Sequence, residues 1–106
     1  MSTVYEINAK IFKAFCDENR LRILELLQSG EKCACTLQDE LPIGQSTLSH
    51  HMKILLESGV VEVRKDKKWS YYSLSDKGSV VATEKLSLLL TKKYSDQAQC
   101  ACESEA

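Results

Sequence analysis

Residues 43–59, Ile-Gly-Gln-Ser-Thr-Leu-Ser-His-His-Met-Lys-Ile-Leu-Leu-Glu-Ser-Gly, constrain the chain more than any other stretch. Pro42 and Gly44 break the backbone ahead of it, and Gly59 offers a left-handed stop behind it. The pattern predicts a helix of about three turns. Leu48, Met52 and Leu55 recur at intervals of four and three, so they share one buried stripe. Ser46, Ser49, His50, Lys53 and Glu57 take the opposite face. That face offers hydroxyls, an imidazole and an ammonium, with one carboxylate at its far end. A helix exposed only for solubility mixes Glu and Lys in pairs. A helix that enters a DNA major groove wants short hydrogen-bonding side chains near its N-terminus and a cation further along. Alone, the stretch fits a solvated amphipathic helix as well as a DNA-reading one. Its flanks decide.

Ahead of it, residues 5–15 carry Ile7, Ile11, Phe12 and Phe15 at helical spacing, which predicts a first amphipathic helix. Asp17 is a good N-cap for a second helix over residues 18–28. Leu21, Ile23, Leu24, Leu26 and Leu27 give this helix a wide apolar face for the core, and Ser29-Gly30 ends it. A short third helix over residues 36–41 turns Leu37 and Leu41 inward, and Pro42 closes it. Two helices joined by a short turn containing Gly make a helix-turn-helix. After Gly59 the period changes. Val60, Val61 and Val63, then Arg64-Lys65-Asp66-Lys67-Lys68, then Trp69 to Leu74 read as a β-hairpin around a charged turn. That turn has no Gly, so its geometry stays open. A charged loop tip kept for solubility is the plain alternative. Its place directly after a helix-turn-helix favours a wing whose cations reach phosphate or the minor groove.

Ser75-Asp76-Lys77-Gly78 reads as a turn. A last helix is expected over residues 80–94, with Val81, Leu86, Leu88, Leu89 and Leu90 spread more broadly than one face of a monomer needs. With the first helix it predicts a homodimer interface. The expected organisation is a winged helix-turn-helix domain over residues 1–96, mainly α with a β-hairpin wing. A flexible cysteine-containing tail follows over residues 97–106.

The chain has 106 residues, the size of one domain, and a formal net charge of −1. That sum argues against a strongly basic nucleic-acid binder, but the distribution does not. Between residues 46 and 72, Lys53, Arg64, Lys65, Lys67 and Lys68 outnumber Glu57, Glu62 and Asp66. Asp96, Glu103 and Glu105 place acidity in the last residues, away from the candidate DNA face. Nothing resembles a signal peptide and no apolar run approaches a membrane span, so a cytoplasmic protein with no membrane partner is expected. In a reducing compartment the five cysteines are expected as thiols. No general base is placed near any cysteine and no phosphate-cradling loop exists, which argues against a thiol enzyme.

Three segments, taken together, resemble the ArsR/SmtB metalloregulatory repressors, winged-helix dimers that leave DNA on binding a metal or metalloid. Residues 12–24 (Phe-Lys-Ala-Phe-Cys-Asp-Glu-Asn-Arg-Leu-Arg-Ile-Leu) look like the family's opening helix pair. Residues 45–53 look like its recognition helix, and Ser58-Gly59-Val60-Val61 with residues 64–74 look like its wing. The match runs over roughly residues 5–94. Gly44 stands where the family often has a Ser cap, and Asp66-Lys67 where a turn Gly is usual. The resemblance implies double-stranded operator DNA as partner. Gln45, Ser46, Thr47, Ser49 and His50 would face the bases, with Lys53 and the wing cations Arg64, Lys65, Lys67 and Lys68 on phosphate.

Glu31-Lys32-Cys33-Ala34-Cys35-Thr36-Leu37 resembles the Cys-x-Cys segment of the family's arsenic and cadmium/lead sensors. One type of arsenic sensor has a further Cys where Gln38 stands, and the Asp/His site of the zinc sensors is missing from residues 80–94. Thiolates favour soft ions, which implies As(III) or Sb(III) as inducer, with Cd(II), Pb(II) or Zn(II) as alternatives. Two residues apart, Cys33 and Cys35 do not share a face of a regular helix, so holding one ion requires a non-helical or distorted backbone there. Small half-buried cysteines are the plain alternative. Cys100 and Cys102 repeat the spacing in a polar segment, where burial does not explain them. They would supply a third ligand, complete a four-sulfur site, or form a site of their own. Cys16 reads as structural. Oxidation of the cysteines in place of metal binding is the competing sensing chemistry.

Overall fold

The computed structural model describes residues 3–93. The element order is α1 (Val4–Lys13), α2 (Glu18–Leu27), β1 (Lys32–Cys33), α3 (Ala34–Glu40), α4 (Gln45–Ser58), β2 (Val61–Asp66), β3 (Trp69–Leu74) and α5 (Asp76–Leu90). This is the expected winged helix-turn-helix, mainly α with a hairpin wing. Residues 97–106, with Cys100 and Cys102, lie outside the described residues.

Local chemistry sets the boundaries. Thr3 and Glu6 form a reciprocal capping box at the start of α1. Asp17 caps α2 by accepting from the backbone N–H groups of Asn19 and Arg20. Gly59 ends α4 in the left-handed conformation at φ 85°. Ser75 accepts from the Gly78 N–H and so starts α5 at Asp76, four residues earlier than the apolar pattern implies. The first turn of α5 sits directly on Gly59. A Cβ at Gly78 would overlap the Gly59 carbonyl oxygen.

The sheet is antiparallel in the order β1-β3-β2. Asp66 pairs with Trp69, leaving Lys67 and Lys68 as a two-residue turn. Lys67 takes the left-handed conformation at φ 60°, where Gly is usual. For an L-residue this costs on the order of 1 kcal/mol. The strand β1 was not anticipated. Its two residues pair with Tyr72 and Tyr71, too short a run for any period to register.

The core gathers Ile11 from α1 and Ala14 at its C-cap, Ile23 and Leu27 from α2, Leu37 from α3, and Leu48, Met52 and Leu55 from α4. Two expectations change here. Leu21 stands outside the core at 49% exposure, because it points away from the Ile23/Leu27 stripe. Cys16 is exposed rather than structural; its thiol lies 3.4 Å from the Phe12 carbonyl in the turn between α1 and α2.

Candidate functional site

Helix α4 separates its faces as its sequence requires. Leu48, Met52 and Leu55 are buried, whereas Gln45, Ser46, Thr47, Ser49, His50, Lys53 and Glu57 are exposed. Gly44 supplies no side-chain cap, so the first-turn N–H groups of α4 are left without that partner. The inner face also carries a polar anchor. His51 is buried, and its Nδ1 accepts from Arg20 Nη1 at 2.9 Å. Arg20, also buried, donates from Nη2 to the Lys13 carbonyl at 3.1 Å, while its Nε has no partner among the described residues. His51 Nε2 lies 3.8 Å from the Asp17 carboxylate. One guanidinium therefore ties the end of α1, the body of α2 and the middle of α4 together. Burial, aided by the Arg20 and His50 charges, pushes the His51 pKa below its ordinary value and outweighs the pull of Asp17.

Sequence reasoning placed His51 correctly and missed Arg20 as its partner. A signal existed: Arg20 stands three and seven residues before Ile23 and Leu27, on the buried stripe of α2. A charge in that position needs a partner inside.

In the wing, Lys65, Lys67 and Lys68 are exposed, and the Lys68 ammonium sits 5.7 Å from the Trp69 ring centroid. Arg64 is engaged differently. It forms a two-pronged pair with Glu31, Nε to Oε2 at 3.1 Å and Nη2 to Oε1 at 2.8 Å. Its guanidinium lies 4.5 Å from the Tyr71 ring centroid. The hydrogen bonds with Arg64 hold the Glu31 carboxyl below its ordinary pKa, and Glu31 in turn raises that of Arg64. Arg64 thus clips the wing to the segment that leads into Cys33.

Cys33 and Cys35 come together as the chemistry demands. Cys33 is the N-cap of α3, with extended backbone at φ −78° and ψ 159°. The change from extended to helical backbone within one residue brings the two Cα atoms to 5.4 Å, and the structure joins the sulfurs as a disulfide. Thiols were expected; the change of backbone direction places the pair within bonding reach. The Cys33 sulfur also caps α3, accepting from the Thr36 N–H at 3.4 Å. A reduced pair has the donors and the convergence to hold one soft ion. Among the described residues, no group of three or more His, Cys, Asp or Glu side chains gathers to hold a metal.

Beside this pair a cavity of about 470 Å³ opens between α3, α4 and β3. Polar Gln38, Asp39 and Ser70 line it together with Cys35, Trp69 and Tyr72. Gln45, Ser49 and Lys68 also border it, from the recognition helix and the wing.

The family described as bacterial regulatory protein, arsR family, matches residues 17–63. An arsenical resistance operon repressor of Staphylococcus xylosus is 38% identical over 94% of this chain and 92% of its own length. An uncharacterized HTH-type transcriptional regulator of Methanocaldococcus jannaschii is 48% identical over 68% of this chain and 82% of its own. Among solved structures, a possible transcriptional regulator for arsenical resistance superposes with a TM-score of 0.70 at 28% identity, over 78% of this chain and 86% of that one. An ArsR-like transcriptional regulator from Rhodococcus sp. RHA1 gives a TM-score of 0.71 at 27% identity, covering 83% of each chain. The hydrogen-bonding outer face of α4, the basic wing beside it and these likenesses agree: the chain belongs to the ArsR family of winged-helix, DNA-binding transcriptional repressors and is not an enzyme.

Proposed function

We propose that this repressor holds an inverted-repeat operator as a homodimer in the cytoplasm and releases it when a soft ion binds Cys33 and Cys35. As(III) is the ion that the relatives named for arsenical resistance favour. Sb(III) shares its chemistry. A cadmium resistance regulator homologue of Staphylococcus aureus, 39% identical over 64% of this chain, keeps Cd(II), and with it Pb(II) or Zn(II), as the alternative. Ser46, Ser49 and His50, with Gln45 and Thr47 beside them, read base edges. Lys53, Lys65, Lys67 and Lys68 meet phosphate, while Arg64 contributes from its place on Glu31. Two-fold symmetry sets the half-sites about 10 bp apart, one helical turn. The dimer forms through α1 and α5, whose exposed apolar residues include Tyr5, Val80, Leu88, Leu89 and Leu90. Cys100 or Cys102 supplies the third thiolate that As(III) prefers.

One observation carries the reading: Cys33 and Cys35 converge at the N-cap of α3. The first cysteine lies on β1, which pairs with the wing, and the second on α3, which leads into α4. An ion that re-sets this junction moves both DNA-contacting elements. A 100-fold loss of operator affinity needs about 2.7 kcal/mol of coupling, within the ordinary allosteric range. Operator binding measured with and without As(III) under anaerobic reducing conditions tests it. Cys33→Ser or Cys35→Ser is expected to keep DNA binding and lose release. A double variant that still leaves the operator on adding As(III) rejects the site. The disulfide favours a second reading, in which peroxide oxidises the two thiols to the disulfide and is itself reduced to water. Peroxide treatment without metal separates the two.

A further inference from the structure

We propose that Arg20 is a positioning residue for the DNA-reading helix: its hydrogen bond to His51 fixes the rotation of α4 about its own axis and so sets discrimination between sequences. The inference rests on the reading above that the outer face of α4 meets base edges. Three observations lead to it. Among the described residues, the side-chain polar contacts that join α4 to α1 and α2 are those of His51, with Arg20 Nη1 at 2.9 Å and with Asp17 at 3.8 Å. The other polar pins of α4 sit at its ends. Gln38 donates to the Ile43 carbonyl at 2.9 Å ahead of it, and Ser58 donates to the Leu55 carbonyl at 2.6 Å and accepts from the Val60 N–H at 3.2 Å behind it. The Arg20 guanidinium is buried, forms no ion pair with a carboxylate and leaves Nε without a partner, all among the described residues. Burying a charge on those terms costs stability, and a hydrocarbon pair of the same bulk would hold the space at lower cost. What hydrocarbon lacks is direction.

The apolar stripe of Leu48, Met52 and Leu55 draws α4 onto the core but tolerates small rotations, because hydrophobic burial is non-directional. A hydrogen bond does not tolerate them. Nη2 on the Lys13 carbonyl at 3.1 Å holds the guanidinium plane, so the bond to His51 has a fixed origin. His51 stands two residues from Ser49 and two from Lys53, which puts both on nearly the opposite side of the helix. A rotation of about 10° moves a side-chain tip, about 5–6 Å from the axis, by about 1 Å. Base-edge hydrogen bonds keep N···O distances within about 2.7–3.2 Å, so that swing breaks them. Lysines on phosphate follow the swing, since their flexible stems re-aim the ammonium. Loss of the anchor therefore lowers affinity for the right sequence and spares affinity for any sequence.

Two duplexes are titrated with the full-length reduced protein: one selected from a random pool by the wild type, the other its scrambled sequence. Arg20→Met with His51→Leu fills the same space with hydrocarbon and is expected to melt near the wild type. Its selected-over-scrambled affinity ratio should fall roughly tenfold, the discrimination of about one base contact, with scrambled affinity kept within about twofold. His51→Asn keeps an acceptor for Arg20 and gives up the contact with Asp17, so it isolates the Arg20 bond and should hold the wild-type ratio. Arg20→Lys keeps the buried charge but not the planar fork that reaches two acceptors at once. It should lose most of the ratio, and it carries the test if the double variant does not fold. An unchanged ratio in the Arg20 variants, or an equal loss on both duplexes, overturns the proposal. So does a His51→Asn protein that discriminates as poorly as Arg20→Lys. If the wild type enriches no sequence from the pool, the base-reading role of α4 falls, and the proposal with it.

Discussion

Helices α4 and α5 are nearly equal in length, 14 and 15 residues, yet they use their surfaces in opposite ways. α4 buries six residues and shows solvent a polar face. α5 buries Ala82 alone and leaves Val80, Leu86, Leu88, Leu89 and Leu90 between 46% and 74% exposed. Among the described residues, nothing covers that hydrocarbon. What a helix leaves uncovered is the better guide to its partner: donors and acceptors on α4 suit nucleic acid, and the apolar area on α5 suits the protein partner proposed above.

The two helices meet at one seam, where the start of α5 rests on the Gly59 carbonyl that ends α4. Short of unfolding the chain, breaking it gives the largest effect expected. Gly78→Val places a side chain where backbone already lies, at a cost of roughly 3 kcal/mol, or about 12 °C in Tm. Thermal melting at fixed protein concentration checks this. A variant that melts with the wild type would mean that the seam yields without cost.

Next in size is the exposed face of α5. Leu89→Glu or Leu90→Glu is expected to yield monomers in sedimentation at micromolar concentration, with unchanged helical circular dichroism. Operator affinity should fall about 100-fold, the lower end of what a second linked reading head contributes. Leu55→Glu, on the buried side of α4, is expected to unfold the chain instead. A Leu89→Glu monomer that still binds the operator tightly would contradict the dimer proposal.

How far the sequence could be read follows the same division. The faces of α4 were legible because apolar residues at intervals of three and four over 14 residues leave little ambiguity. The wing was legible from β-branched and aromatic runs around a charged turn, although Lys67 had to accept a left-handed backbone that the residue type does not announce. β1 was not legible, since two residues carry no period and owe their strand geometry to Tyr71 and Tyr72 far along the chain. Nor was the start of α5, decided by one hydroxyl on Ser75 rather than by hydrophobic pattern. At the candidate site, the need for a backbone break between Cys33 and Cys35 was foreseen from helix geometry. The clip of Arg64 onto Glu31 and the anchor of Arg20 on His51 were not, because residues 33 and 31 apart in sequence give no local sign of contact.

Smaller effects distinguish the parts of the DNA face. His50→Ala should reduce discrimination at the base it reads by about 1–3 kcal/mol and leave nonspecific affinity nearly intact. Lys67→Ala with Lys68→Ala should weaken all sequences alike and flatten the salt dependence by about 0.9 logarithmic units for each phosphate no longer neutralised. Operator and scrambled duplexes titrated over a range of salt separate the two. If His50→Ala lowers both affinities equally, the outer face of α4 positions the protein rather than reading sequence.

The smallest effect expected is a pH dependence of stability centred on the buried side of α4. Arg20 only donates, so His51 Nδ1 must accept and the ring proton must sit on Nε2, toward Asp17. A second proton would cost that hydrogen bond and set two cations side by side, with His50 as a further neighbour on the same helix. The folded-state pKa of His51 accordingly lies below the ordinary 6.5, with burial as the first cause. The sign follows from linkage. With a depressed folded pKa, the unfolded chain takes the proton first as pH falls. Stability is therefore complete above about 6.5 and declines below it, until the folded pKa is also passed. Asp17 adds a second loss at lower pH. Burial raises its pKa, but the N–H donors of Asn19 and Arg20, with the His51 and Arg20 charges, bring it below its ordinary 3.8. Its contribution is present above that value and disappears as pH falls through the still lower folded value. Urea unfolding at a fixed dimer concentration should give a midpoint that is level from pH 8 to 7 and falls by pH 5.5. His51→Asn, whose amide oxygen can accept from Arg20 without titrating, should remove the upper decline and keep the lower one. If the variant declines over the same interval as the wild type, the upper transition belongs to another group.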